Sequence, residues 1–199
     1  MTDFWNERFG GDHFFYGTEP NQFLKEQAGN FLLGGKILSL GEGEGRNAVF
    51  LAELGLKVSA SDTSHAGFQK MQKLADSRNV QVSERLENVV SGNWDDETWD
   101  GILNIFCHVT SEGRKTIAEK AAKSLKPGGI FLTEQFSKEQ LNYTSGGPKD
   151  PDMLISLEEF ERDFSDNFEI LLLEKKVIYL DEGHHKGDGS VVRLIARKI

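Results

Sequence analysis

The residues Leu40-Gly41-Glu42-Gly43-Glu44-Gly45-Arg46-Asn47 form a G-x-G-x-G turn between an apolar run and a helical pattern. Glycines in such a turn let the backbone approach a ligand and expose the N–H groups of the helix start. Tight turns after strands also use glycine for steric reasons alone, so the surrounding chemistry has to decide. A dinucleotide site wants G-x-G-x-x-G, and Arg46 stands where its third glycine would be. Glu42 and Glu44 flank the loop that would hold a diphosphate. Like charges about 4 Å apart cost on the order of 4 kcal/mol at an effective dielectric near 20, so carboxylates here oppose a pyrophosphate. The alternative for the two acids is that at least one of them points to water.

Such a loop suits a ligand with positive charge and no phosphate. S-adenosylmethionine is one: it offers an ammonium, a sulfonium and a single carboxylate that loop N–H groups or Arg46 could receive. Ser61-Asp62-Thr63 follows about 20 residues beyond the glycines, where an acid in this architecture accepts ribose hydroxyls. The same residues also read as the lead-in to a helix capped by Ser64. Adenine is expected near Glu87 and Asn88. The candidate cofactor-binding residues are Tyr16, Gly41, Glu42, Gly43, Gly45, Arg46, Asn47, Asp62, Thr63, Asn88 and Phe106.

Beyond the loop, Cys107-His108 follows an apolar run at the carboxyl edge of the expected sheet, where open α/β sheets bind ligands. Cys107 reads as a small core residue rather than a nucleophile. His108 is the candidate catalytic side chain, with a histidine satisfied by a backbone carbonyl as the alternative. His184-His185 lacks the face-sharing spacing of a metal motif and reads as part of a solvated turn, so no metal site is expected. The N-terminal stretch is crowded with Phe4, Trp5, Phe9, Phe14, Phe15 and Tyr16, an apolar arm folded onto the domain, with Tyr16 as the site's cover.

The elements that must position these residues alternate. Strand-like runs cover Lys36–Leu40, Lys57–Ala60, Val80–Leu86, Asp100–Phe106 and Ile130–Glu134. Between them lie a helix with Ala48, Leu51, Ala52 and Leu54 on one face, a Ser64-capped helix with Phe68, Met71, Leu74 and Ala75, and a helix opened by Ser111 that stops at Lys126-Pro127-Gly128-Gly129. Strand and helix in alternation predict an α/β fold with a mostly parallel sheet. Ser137–Pro151 is polar and long enough to be a candidate lid. Ser156-Leu157-Glu158-Glu159 is a capping box, and the runs Ile170–Leu180 and Ser190–Ile199, separated by the nine residues Asp181–Gly189, predict a closing antiparallel hairpin.

At 199 residues the chain is expected to be one domain, with residues 1–35 as an aromatic arm and helix, 36–199 as a Rossmann-like core and 137–151 as the lid. The net charge of −9, without a basic cluster, argues against nucleic acid as partner. No apolar run is long enough to cross a bilayer, the start lacks the pattern of a secretory signal, and the lone Cys107 leaves no disulfide, so a cytoplasmic protein is expected.

Ile37–Asn47, Asp62, Trp99-Asp100 and Leu125–Gly129 together resemble the ordered motifs of class I S-adenosylmethionine-dependent methyltransferases. More narrowly, Trp5–Phe9, Tyr16–Asn21, Ile105–His108 and Gly146–Asp152 resemble a bacterial branch related to tellurite and thiopurine methyltransferases. The resemblance implies a Rossmann-like three-layer sandwich whose sheet has seven strands with the last antiparallel. It implies that Gly41, Gly43 and Gly45 line the methionine part, that Asp62 takes the ribose, and that Asn88 lies near the adenine. It also implies a small-molecule acceptor, with a soft sulfur, selenium or tellurium nucleophile favoured. Glu42 departs from the small residue usual in the class, and Asn88 from its frequent aspartate. The other functional classes open to the sequence are a non-catalytic S-adenosylmethionine sensor and an NAD(P)-dependent oxidoreductase, the latter opposed by Arg46 and the acidic loop.

Overall fold

The computed structural model describes residues 2–30 and 35–199. Residues 31–34 of the expected N-terminal arm lie outside the described residues. The sheet has the order β3-β2-β1-β4-β5-β7-β6, from β1 (Lys36–Leu40), β2 (Lys57–Asp62), β3 (Val82–Leu86), β4 (Trp99–Ile105), β5 (Leu125–Phe136), β6 (Phe168–Glu182) and β7 (His185–Lys198). The first five strands run parallel to one another, and β7 runs antiparallel to both β5 and β6. The expected α/β sandwich, with seven strands and an antiparallel end, is therefore present.

Two apolar cores follow from the period-two alternation of the inner strands. Ile37, Leu103, Ile105, Ile130 and Leu132 meet the helices α3 (Arg46–Glu53) and α4 (His65–Ser77) on one face. Leu38, Leu40, Ile102 and Phe131 meet α5 (Ser111–Ser124) and α6 (Leu157–Phe164) on the other. Ser64 caps α4 through Gly67 N–H, and Ser156 with Glu159 forms the capping box of α6. Two short helices, α1 (Thr2–Phe9) and α2 (Gln22–Gln27), belong to the arm, and α1 lies on α4, with Asn6 Oδ1 accepting from Ser64 Oγ at 2.9 Å. No helix among the described residues is long and apolar enough to cross a membrane.

Several boundaries differ from the sequence reading. Leu54 is not on the buried face of α3; it is the residue just past the helix and is 38% exposed. Ser111 does open α5, as expected, and Thr110 just before it is the cap, accepting from Gly113 N–H. The Pro127-Gly128-Gly129 breaker does not delay β5: Leu125 pairs with Trp99 before the register shifts to Ile130 opposite Gly101, and the intervening residues are accommodated as an irregularity. The nine-residue loop does not exist. Pairing between β6 and β7 runs on to Glu182 opposite His185, leaving Gly183 and His184 as the turn, with Gly183 at φ +59°. The polar and glycine residues that read as a loop are instead the far end of a two-stranded ribbon.

Candidate active site

The loop after β1 turns on three left-handed glycines, with φ of +58° at Gly41, +62° at Gly43 and +93° at Gly45. A Cβ on Gly41 would lie 2.3 Å from Cys107 Sγ and one on Gly45 2.3 Å from Met71 Cγ, so both backbone angle and close packing demand glycine. Phe9 of the arm packs on the same loop, its ring 3.0 Å from where a Gly43 Cβ would be.

Neither acid of the loop points to water. Glu42 is 8% exposed and Glu44 5%. Glu42 Oε1 accepts from the N–H groups of both Asn47 and Ala48 at 2.9 Å, and Ser39 donates its hydroxyl to Oε2. Burial raises the Glu42 pKa, opposed by those hydrogen bonds. A helix N-terminus that would attract a phosphate or a ligand carboxylate is thus filled by the chain's own carboxylate. Glu44 pairs with Lys70 at 2.6 Å and takes the Phe15 N–H at 2.6 Å, fastening the arm. The idea that loop N–H groups receive the ligand's carboxylate is therefore corrected: at Asn47 they are occupied. The Asn47 side chain is engaged too, its Oδ1 accepting from Asn21 N–H at 2.9 Å.

Arg46 keeps one donor free. Its Nη2 pairs with Glu182 at 2.7 Å, while Nη1 is buried without a partner. Asp62 ends β2 and is 8% exposed, with Oδ2 accepting from Gly43 N–H at 2.9 Å and Oδ1 from Ser64 N–H at 2.8 Å. Burial raises its pKa and the backbone donors lower it. Each carboxylate oxygen retains acceptor capacity for a hydroxyl. Thr63 follows, half-buried. Asn88 is exposed after β3, its Oδ1 accepting from Val90 N–H at 2.8 Å and Ser91 N–H at 3.3 Å, so only its amide N–H groups are left for a base.

At the carboxyl ends of β4 and β5 an aromatic cluster closes the site. Phe106 leaves β4 with φ +52°, and its ring stacks on Phe136 at 4.6 Å. His185 stands edge-on to both, at 5.2 Å and 5.3 Å, and 4.7 Å from Tyr16. Reading His184-His185 as a solvated turn is half wrong. His184 is exposed and stacks on Phe15 at 3.9 Å, whereas His185 is 7% exposed with Nδ1 buried and unpartnered. Burial, then the neighbouring Arg46 charge, pushes its pKa down to about 4. Tyr16 is raised by burial, with Arg8 opposing, so it stays a phenol.

His108 stacks on Phe136 at 5.4 Å and donates to the backbone carbonyl of Met153, leaving Nε2 buried and unpartnered. Burial pushes its pKa down to about 3. An imidazole that weakly basic is a poor match for removing a proton at neutral pH. Cys107 is pushed up to about 12 by burial, and its role is packing against Gly41.

Sequence reasoning missed Asn21, Glu134, Glu182, His185 and Arg193. Glu134 is fully buried and accepts from Asn21 Nδ2 at 2.8 Å and Arg193 Nε at 2.5 Å; Asn21 also reaches Glu182 at 3.1 Å. This network ties the arm to the sheet beside Arg46. The candidate lid is seated, with Ser137 Oγ bonded to Ser190 Oγ at 2.7 Å and Gln140 Oε1 accepting from Ser190 N–H at 2.8 Å, and Gly146 lies against the His185 ring.

Three features fit S-adenosylmethionine: glycines at every point of close approach, an acid placed for hydroxyls, and one unpartnered guanidinium donor for a carboxylate. Residues 37–129 match the family described as a methyltransferase domain. No curated protein matches the chain. Among solved structures, one titled for the conversion of a disulfide bond into a thioacetal group during echinomycin biosynthesis is 15% identical, with a TM-score of 0.78 over 99% of this chain and 89% of that one. TehB from Haemophilus influenzae is 19% identical, with a TM-score of 0.74 over 100% of this chain and 67% of that one. Geranyl diphosphate C-methyltransferase from Streptomyces coelicolor, whose structure holds S-adenosylhomocysteine, is 15% identical, with a TM-score of 0.70 over 100% of this chain and 96% of that one. The fold is that of S-adenosylmethionine-dependent methyltransferases. The domain match and the fold support a methyl-transferring enzyme with S-adenosylmethionine as its cofactor.

Proposed function

We propose that the protein methylates a small molecule presenting a soft nucleophile, a thiolate or a selenium or tellurium counterpart, at the cluster of Tyr16, Phe106 and His185. The observation that carries this reading is the state of the two histidines at the carboxyl edge of the sheet. His185 is buried, His108 is half-buried with its Nε2 enclosed, and both are weakly basic, His108 at about 3 and His185 at about 4. A hydroxyl or protonated amine would have to lose a proton to such a group, whereas a soft anion already carries its lone pair.

S-adenosylmethionine, when bound, supplies an electrophilic methyl group on a sulfonium. The chain's part is then positioning, with Asp62 and Arg46 as fixed points for hydroxyl and carboxylate. Orientation alone is worth effective molarities of roughly 10⁵ to 10⁸ M in well-aligned systems. The faces of Tyr16 and Phe106 offer electron-rich surface to a cation. The resemblance to tellurite and thiopurine enzymes agrees with a soft acceptor, as does a neighbour of this fold titled for sulfur chemistry. The absence of a basic cluster and the −9 charge favour a small acceptor over a polyanion.

The test is a panel of thiol, selenol, oxyanion, phenol and amine acceptors, read as S-adenosylhomocysteine formed, with His108→Ala beside the parent. The variant should lose turnover within roughly tenfold, and any pH limb should belong to the acceptor and be shared by both proteins. A thousandfold loss, with disappearance of a limb in the histidine range, would refute the soft-acceptor reading.

A further inference from the structure

The sheet has two edges, and they differ. β3 is short, Val82–Leu86, with Glu84 and Arg85 in it, the kind of edge that discourages further pairing. β6 spans 15 residues without a proline, and among the described residues it pairs with β7 alone. Its register is unbroken from Leu172 onward, the irregularity lying between Ile170 and Leu172. The outer row of N–H and C=O groups along this stretch is a template for one more strand. Apolar side chains accompany it: Leu171, Val177 and Tyr179 are 41%, 57% and 66% exposed, and Leu172, Leu173 and Ile178 are half-buried.

The sequence of β6 itself selects the partner. When two copies of one strand pair antiparallel about a two-fold axis, paired residues must present their backbone groups to the same side, so the axis falls at a residue that faces its own copy. Centred on Glu174, the axis sets two carboxylates together and Lys176 against Leu172; centred on Lys176, it sets two ammoniums together and Glu174 against Ile178. Centred on Leu173 or Val177, it sets the charged residues against apolar or aromatic ones. Centred on Lys175, it places Glu174 opposite Lys176 twice, Leu173 opposite Val177 and Leu172 opposite Ile178. Charge then meets opposite charge, and apolar side chains meet apolar ones on both faces. The two Lys175 side chains face each other at the axis, each bonded to Glu139 of its own chain. Lys176 lies 3.6 Å from Glu174 within the chain, so the edge lysines, which would otherwise repel a neighbouring strand, are both matched.

We propose that β6 is a dimerisation edge, on which a second copy of this chain pairs antiparallel with the two-fold axis at Lys175, continuing the sheet through both copies. The paired stretch, Leu172–Ile178, is about 23 Å long at roughly 3.3 Å per residue, enough for a strand of ordinary length. The proposal rests on edge geometry and on the self-complementary order of charges, and does not depend on which acceptor the enzyme methylates.

Sedimentation of the full chain over a wide concentration series tests it, with dimer expected to accumulate as concentration rises. Lys176→Glu sets a like charge against Glu174 twice across the axis; it should weaken the dimer roughly tenfold or more while keeping the circular dichroism spectrum of the parent. Cross-linking then reads the register. Directly opposed strand residues have Cα atoms about 4.5 to 5.5 Å apart, within disulfide range, so mild oxidation of Lys175→Cys should give a covalent dimer. Val177→Cys, opposite Leu173, should not, and neither should the parent with its Cys107 alone. A chain that stays monomeric throughout the series, or that dimerises equally well as Lys176→Glu, would overturn the proposal. A covalent dimer forming from Val177→Cys as readily as from Lys175→Cys would overturn the register on which it stands.

Discussion

Removing the carboxylate of Glu42 tests the claim that it occupies the start of α3. In Glu42→Ala the N–H groups of Asn47 and Ala48 lose their common acceptor, at 2.9 Å each, and Ser39 loses its own. An orphaned buried donor costs about 1 to 3 kcal/mol. Two of them would give about 2 to 6 kcal/mol, reduced because a buried carboxylate no longer has to be desolvated and because water can enter the vacated space. A net loss of about 2 to 3 kcal/mol is expected. For a chain of this size, 1 kcal/mol moves Tm by about 2 to 4 °C, so thermal unfolding should fall by about 5 to 10 °C. Glu42→Gln keeps an acceptor oxygen in place and should stay within about 1 kcal/mol of the parent. Sulfate then discriminates further. With the helix N-terminus exposed, an anion at ten times its Kd adds about 1.4 kcal/mol, so sulfate should raise the Tm of Glu42→Ala by several degrees more than that of either comparator. Calorimetric scans of the three proteins decide it. If Glu42→Ala melts within about 2 °C of the parent, or if sulfate shifts all three alike, the carboxylate is not the cap described here.

Asp62→Ala should weaken S-adenosylhomocysteine binding by about 1.5 to 3 kcal/mol, seen by titration calorimetry, because a hydrogen bond to a charged group is lost; unchanged affinity would remove Asp62 from the site. His185 makes a prediction in pH. Its folded pKa, about 4, lies below the unfolded value near 6.5, so between those values the unfolded chain binds more protons and stability rises with pH. That contribution is complete above pH 6.5 and is lost as pH falls toward 4, by up to about 1.4 kcal/mol per unit. Glu42 and Asp62, raised by burial, act in the opposite sense above their unfolded values. The measurement is therefore the difference between parent and His185→Asn in urea unfolding from pH 7 to 4.5, which should narrow as pH falls, and a constant difference would show that His185 is not held neutral by burial.

What could be read from sequence was what is local. The glycine turn, the Ser64 cap, the Ser156 and Glu159 box and the period-two runs each lie within a few residues and correspond to elements of the fold. Asp62 was placed at a strand end because the spacing from the glycines is itself part of the β-loop-α-β connection. The misreadings came from side chains whose partners are remote. Glu134 meets Asn21 across 113 residues and Arg193 across 59, and no local pattern marks such a pairing. His185 looked solvated because Asp181, Glu182 and Lys186 surround it, yet strand alternation turns it inward against Phe106 while Asp181 and Lys186 stay exposed. Glu42 was misjudged because the loop folds its carboxylate back onto N–H groups five and six residues later.

The distribution of satisfied and unsatisfied groups carries the functional argument one step further. Glu134, Glu182, Glu44 and Glu42 all have defined partners, so the carboxylates that seemed free to meet a ligand's cation are spent on the fold. Among the described residues, the buried atoms left over around the loop include Ser61 Oγ, Arg46 Nη1 and His185 Nδ1, the last two carried by residues that face Tyr16 or its neighbours. A buried polar atom without a partner costs the folded state free energy that a ligand can restore on binding. We expect selectivity at this end of the site to rest on the Arg46 guanidinium and the His185 imidazole rather than on the acidic loop. The ligand group that would gain most at Arg46 Nη1 is a carboxylate, which a phosphate-free cofactor with a single carboxylate supplies. Binding and stability are then linked through Arg46, so Arg46→Lys, which keeps charge but loses the second fixed donor, should retain the fold while losing most of the thermal stabilisation that S-adenosylhomocysteine confers on the parent.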